Sequence, residues 1–309
     1  MTRTLNQVPS DGVPSPTRRP RAVPAIGSAL VLVLAAVGYL AFGGARHGVA
    51  PAAPPLPPGC QAGTGATAIP LDTGQAGIAA TIAGVAVRHR LPRQAVTIAL
   101  AAALQESQLQ NLDYGDRDSV GVFQQRPSQG WGTTAELEDP VYATTKFFAA
   151  LVRVPGFTTM PVDQAAQDVQ RSADGSAYEQ WADVARLLAG YFTGTSPEGV
   201  SCWYTPGDRP DLAGALRQLT QTFGPQGTDD VLVRITTDRS APKKQVAVVH
   251  VQPDEAWTVA SWLVAHAQQY GISQIRYAGY VWDAENGSMG WQRASRTASP
   301  VPRGSIVAA

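Results

Sequence analysis

The sequence predicts an α-helical domain followed by a small α/β domain, the two preceded by one transmembrane helix. Three observations carry this expectation. Residues 23–43 form an uncharged apolar run, and about 20 such residues cross a bilayer as a helix. Residues 73–205 hold a series of apolar stretches at helical spacing, separated by Gly, Pro and Asp. After Cys202 the pattern changes to short β-branched runs alternating with helical ones.

The totals bound the function. The 309 residues leave room for about two domains. The formal net charge is zero and only 16% of residues are charged, so no nucleic-acid partner is expected. Cys60 and Cys202 are not part of a CxxC pair, and His47, His89, His250 and His266 are scattered. Neither a metal site nor a cofactor is therefore expected.

In chain order, residues 1–22 are polar with a basic cluster at Arg18, Arg19 and Arg21, the composition of a disordered tail. With the arginines ahead of the apolar run, the N-terminus is expected in the cytoplasm and the domains outside it, on a single-pass cell-membrane protein whose residues 23–43 engage the cytoplasmic membrane. A cleaved signal peptide is the competing reading, although the run is long for one. Residues 44–72 read as a Pro/Ala-rich linker in extended polyproline conformation. If the chain is exported, Cys60 and Cys202, which flank the helical domain, are expected to form a disulfide.

The helical domain, 73–205, opens with a helix at about 74–89. The next helix, from Arg93, is apolar at nearly every position from Val96 to Leu104 and ends in Glu106. Such a helix is buried on most faces. A carboxyl at its C-terminal end meets both desolvation and the negative end of the helix dipole, and both raise its pKa. A carboxyl that keeps its proton near neutral pH suits a general acid; the plainer alternative is a solvated Glu where the helix surfaces. Further helices are expected at about 139–153, 161–172 and 175–191.

The residues after Glu106 sharpen this. Glu106-Ser107 is followed by a polar loop, Asn111 to Ser119, and by the turn Gly121-Val122-Phe123-Gln124-Gln125-Arg126-Pro127. This arrangement resembles the signature of lytic transglycosylases and goose-type lysozymes, over about residues 73–190. The Leu91-Pro92 lead-in and the Asp139-Pro140 helix start also fit, and the strings Asn-Leu-Asp-Tyr-Gly-Asp-Arg-Asp-Ser and Phe-Gln-Gln-Arg-Pro are similar to those of actinobacterial envelope proteins with a lysozyme-like domain. The resemblance implies a lysozyme-like fold and peptidoglycan glycan strands as the substrate. It implies one catalytic acid, Glu106, that protonates the leaving oxygen and then acts as base on the sugar's own 6-hydroxyl, giving a 1,6-anhydro product without water. Ser107, Tyr114, Ser119 and Gln124 become candidate substrate-binding residues, each with a plainer role in capping, bracing or packing the loop. Trp131 is a further stacking candidate. Where the family shows Ala-Tyr-Asn-Ala-Gly, this chain has Val169-Gln170-Arg171-Ser172-Ala173; either Gln170 stands in for that Tyr or Tyr178 reaches over from the next helix. The three acids Asp113, Asp116 and Asp118 either supply a second carboxylate, as in an inverting hydrolase, or hydrogen-bond loop amides and pair with Arg117 or Arg126. The departure at the Tyr motif leaves two non-enzymatic alternatives, a non-lytic peptidoglycan-binding protein and an envelope scaffold.

The second domain, 206–309, is expected to hold helices at about 210–223 and 254–270 and strands at about 231–236, 245–251, 274–277 and 280–283. The stretch around Trp257 to Ala267 weakly resembles C-terminal domains of actinobacterial secreted proteins. Some of those look like zinc-dependent peptidases, but the paired His and Asp ligands are missing here, so this is read as a binding or packing module with His250 and His266 as ordinary strand and helix residues.

Overall fold

The computed structural model describes residues 56–171, 175–207, 210–224, 233–238, 241–295, 301 and 304–309. Residues 55–309 form one compact unit.

The chain enters through a small antiparallel sheet in the order β2-β1-β3, formed by β1 (Gly59–Ala62), β2 (Ile69–Leu71) and β3 (Val200–Trp203). Cys60 lies directly opposite Cys202 in this sheet, and the two are joined by a disulfide. The segment expected to be the end of a linker is therefore partly strand: Cys60 and Ala62 are buried, and β1 pairs on both of its edges.

Helix α1 (Thr73–Arg88) starts at a capping box, in which Asp72 accepts from the Gln75 amide and Gln75 returns a bond to the Asp72 amide. Helix α2 (Arg93–Ser107) follows and is buried at every position from Ala95 to Leu104. Short α3 (Thr134–Leu137) leads into α4 (Pro140–Leu151), which is N-capped by Asp139. Then come α5 (Val162–Gln170), a 3-10 turn at Gly175–Trp181 and α6 (Ala182–Phe192). Helices α1, α4, α5 and α6 and the 3-10 turn all pack against α2, so a helix with no polar face is enclosed by its own chain.

Beyond β3, α7 (Leu212–Phe223) packs on α1. The approach requires Gly84: a Cβ there would lie 2.6 Å from Thr222 Cγ2. A six-stranded sheet follows, in the order β4-β5-β9-β6-β7-β8, from β4 (Val233–Asp238), β5 (Ala241–His250), β6 (Gln274–Tyr277), β7 (Tyr280–Asp283), β8 (Gln292–Arg293) and β9 (Ser305–Ala308). Every pairing in it is antiparallel, and the last strand, β9, is inserted between β5 and β6. Helices α8 (Ala256–Ala265) and α9 (Ala267–Tyr270) divide the region expected to be one helix. Helix α8 packs against both α1 and β9.

The helical layers and the second sheet share one core. A single cluster of buried apolar residues runs from Cys60 to Ala308. Polar contacts repeat the link: the Trp282 indole donates to the Cys202 carbonyl at 3.0 Å, the Trp291 indole to the Val200 carbonyl at 2.9 Å, and the Ser201 hydroxyl to the Gly287 carbonyl at 2.6 Å. Gly287 has to be glycine, because a Cβ would come within 1.7 Å of the Cys202 carbonyl oxygen.

These observations correct the expected fold class. The described chain is a mixed α/β structure with two sheets, 49% helix and 15% strand, in place of a helical domain with a small α/β domain behind a membrane helix. The three- and four-residue strands β1, β2 and β3 lie in Gly- and Pro-containing sequence, too short for alternation to show. No helix among the described residues is long and apolar enough to cross a membrane. That finding overturns the transmembrane helix and the single-pass membrane location as features of the structure; the run at 23–43 itself lies outside the described residues.

The disulfide spans 142 positions of sequence. In the chain-entropy account, a loop of that length stabilises the fold by about 5 kcal/mol. Reduction, or the Cys60→Ser/Cys202→Ser pair, is expected to lower the midpoint of thermal unfolding by about 10 °C or more, as read by calorimetry.

Candidate functional site

The site is built from the end of α2. The helix stops just past Glu106 because Gln108 and Leu109 both take left-handed backbone, with φ of 55° and 59°. Their amides close back on Leu104 and Ala103, each at 3.1 Å, which satisfies the carbonyls left open at a helix end. Leu109 is then buried, and the chain turns away with Glu106 at the rim.

The loop that follows is tied back in several places. Ser107 is buried, and its hydroxyl lies 2.7 Å from the Val122 carbonyl and 3.1 Å from that of Ala103. Val120 and Gln125 exchange backbone bonds of 3.1 Å. Gly121 sits at φ 77°, where a Cβ would come within 2.2 Å of the Leu137 carbonyl oxygen. Phe123 is buried and stacks on Phe147, with ring centroids 4.6 Å apart. Its carbonyl thereby faces α5, where Gln170 Nε2 donates to it at 2.8 Å.

Two side chains meet at Glu106. The Tyr178 hydroxyl donates to Glu106 Oε1 at 2.6 Å, and the Gln170 carboxamide lies near enough to favour the ionised form of the same carboxyl. Tyr178 reaches it from the 3-10 turn, which Gln105 holds against α2 by accepting from Trp181 Nε1 at 2.8 Å and from Gln180 Nε2 at 3.2 Å. Burial pushes the Glu106 carboxyl above its ordinary value, and Tyr178 and Gln170 oppose that rise without cancelling it.

Both residues named as alternatives for the family's Tyr are thus beside Glu106. The other candidates lie elsewhere or serve the loop. Gln124 Nε2 donates to the carbonyls of Tyr114 and Gly121, both at 3.2 Å. Tyr114 itself projects outward and is 69% exposed. Ser119 is buried, with its amide on the Asp116 carbonyl at 3.1 Å. Trp131 packs partly buried on the core. Asp118 braces the loop: it accepts from the Ser128 amide at 2.7 Å, Arg126 Nε at 2.9 Å and the Ser128 hydroxyl at 3.0 Å. Those bonds, the Ser128 amide first, hold it well below the usual carboxylate range. Asp116 forms a long ion pair of 3.9 Å with exposed Arg117. His250 accepts or donates one bond with Ser305 across β5 and β9, and among the described residues no cluster of three His, Cys, Asp or Glu side chains converges on a common point.

Sequence reading does not reach Gln105 and Trp181. They are 76 positions apart, and an amide next to the acid on a helix has no periodic signature of its own.

No family model and no curated protein matches the chain.

Two outcomes follow from the site's geometry. Because the Tyr178 bond lowers the Glu106 pKa, Tyr178→Phe is expected to raise it further, as read by carbon NMR of the side-chain carboxyl. The folded-state pKa lies above the ordinary glutamate value, so the favourable contribution of the protonated group is complete below that ordinary value and is lost as pH rises through the folded one. The thermal stability of Glu106→Gln relative to the unaltered protein is therefore expected to increase from pH 4 towards neutrality in paired melting curves.

Proposed function

We propose that the protein cleaves peptidoglycan glycan strands between N-acetylmuramic acid and N-acetylglucosamine, with Glu106 as the single acid–base group and no cofactor. The observation that carries this is the meeting of Glu106, Tyr178 and Gln170 at the open end of a buried helix. A desolvated carboxyl with a raised pKa retains a proton to give to the glycosidic oxygen. Tyr178 and Gln170 hold it in one orientation and lower the cost of the carboxylate left behind.

The loop acids favour the transglycosylase variant. An inverting hydrolase needs a second free carboxylate to activate water. Asp118 is committed to Ser128 and Arg126, and Asp113 and Asp116 are exposed at the loop surface. With one carboxyl, the balanced route uses the substrate as its own nucleophile. Glu106 protonates the glycosidic oxygen and the C1–O bond breaks; the Glu106 carboxylate then removes the proton from the 6-hydroxyl as that oxygen bonds to C1. The product is a 1,6-anhydro sugar, and Glu106 ends protonated as it began.

The test is release of soluble fragments from purified sacculi by the full chain, followed by mass spectrometry. Anhydro-muropeptides are expected, and Glu106→Gln is expected to lower their release by about 10²- to 10⁴-fold, the usual contribution of a general acid. Tyr178→Phe is expected to retain activity with the alkaline limb of its pH–rate profile moved to higher pH, since that limb reports the acid. Hydrated reducing ends would assign a hydrolase, and retention on sacculi with no fragments would assign a non-lytic binder.

A further inference from the structure

A concavity lies on the α1 side of the molecule. This cleft of about 630 Å³ is walled by the first turns of α1, residues 109–111, Gln218 and the α8–α9 junction. Neither Glu106, Gln170 nor Tyr178 lines it. Its polar lining is mainly amide, from Gln75, Gln110, Asn111, Gln218, Gln268 and Gln269, and it contains no Lys or Arg. Its one carboxylate, Asp72, is occupied in capping α1, where it accepts from the Gln75 amide at 2.7 Å. Ile78 and Leu109 add an apolar floor.

The one titratable ring in the lining is His266, which is 5% exposed and stacks on Trp262 with ring centroids 4.0 Å apart. Its Nδ1 lies 2.9 Å from the Trp262 carbonyl. A carbonyl only accepts, so Nδ1 carries the proton and Nε2 is an acceptor. Burial lowers the imidazole pKa to about 4, against the opposing effect of the Trp262 bond, so the ring is neutral. The Nε2 partner is the Thr81 hydroxyl at 3.5 Å, too long for a strong bond.

Gly77 keeps the way to that nitrogen open. A Cβ there would stand 3.6 Å from His266 Nε2, an ordinary contact, so packing does not demand glycine as it does at Gly84. Glycine within a helix is destabilising relative to alanine. The bare helix face over the imidazole is therefore a feature that stability does not explain.

We propose that this cleft binds an uncharged saccharide segment bearing N-acetyl groups, with one hydroxyl donating to His266 Nε2 beneath Gly77 and the amide and hydroxyl groups pairing with Gln110 and Gln268 at the rim. Paired amides supply both donors and acceptors, as a neutral sugar requires, and the lack of a cation disfavours an anionic ligand. The choice of an N-acetylated sugar rests on the proposed glycan substrate, while the lining of the cleft includes none of the Glu106 site.

The test titrates full-length Glu106→Gln protein with tetra-N-acetylchitotetraose and follows the His266 imidazole nitrogens and the Gly77 and Gln110 amides by NMR. A saturable shift at His266 Nε2 is expected. Gly77→Leu, which fills the cleft, and the double variant Gln110→Ala/Gln268→Ala, which alters only exposed rim residues, are each expected to weaken it about tenfold or more. An unmoved His266 signal, shifts confined to the surroundings of Glu106, or an unchanged affinity in the rim variant would overturn the proposal.

Discussion

The enclosure of α2 is the constraint on which the rest of the structure depends. Residues Ala95 to Leu104 are buried without a break, so every side of the helix needs a partner. Five of its residues between Ala95 and Ala103 are alanines, which let neighbouring backbones approach closely and leave little room for larger side chains. Helices α1, α4, α5 and α6 fill those sides, and the 3-10 turn closes the last of them near the C-terminal end. Glu106 is half-buried because of that enclosure. The same packing that stabilises the fold raises its pKa and delivers Tyr178 to its carboxyl oxygen.

The C-terminal sheet extends this construction. Helix α8 packs on α1, and the indoles of Trp282 and Trp291 bond the carbonyls of β3. Cys202 serves twice, through its sulfur to Cys60 and through its carbonyl to Trp282. The His266 cleft arises at this junction, between the start of α1 and the α8–α9 break. Its position follows from two layers sharing one core.

Much of the site was legible because it is local. The apolar run ending in Glu106, the loop acids and the Gly121–Pro127 turn lie within a few tens of residues, and helix periodicity placed α1, α2, α4 and α7 within about three residues of their observed bounds. The meeting of Gln170 and Tyr178 at one carboxyl was legible only as a pair of alternatives, since sequence offered no reason for both. What remained hidden depends on distant pairing. Strands β1, β2 and β3 are too short to alternate visibly, and β9 gains its place by hydrogen bonds to β5 and β6. Gln124 and Asp118 follow the plainer of their two sequence readings: Gln124 donates to carbonyls of its own loop, and Asp118 bonds the Ser128 amide and pairs with Arg126. The apolar run at 23–43 lies outside the described residues.

The central claim is that the carboxyl held by Tyr178 and Gln170 is the group that meets the scissile bond. The most direct measurement is a crystal structure of Glu106→Gln with a peptidoglycan tetrasaccharide. The account predicts a glycosidic oxygen within roughly 3 Å of the residue 106 side chain, the reach of a proton donor. Sugar bound only in the His266 cleft, or with every glycosidic oxygen beyond reach of residue 106, would contradict it.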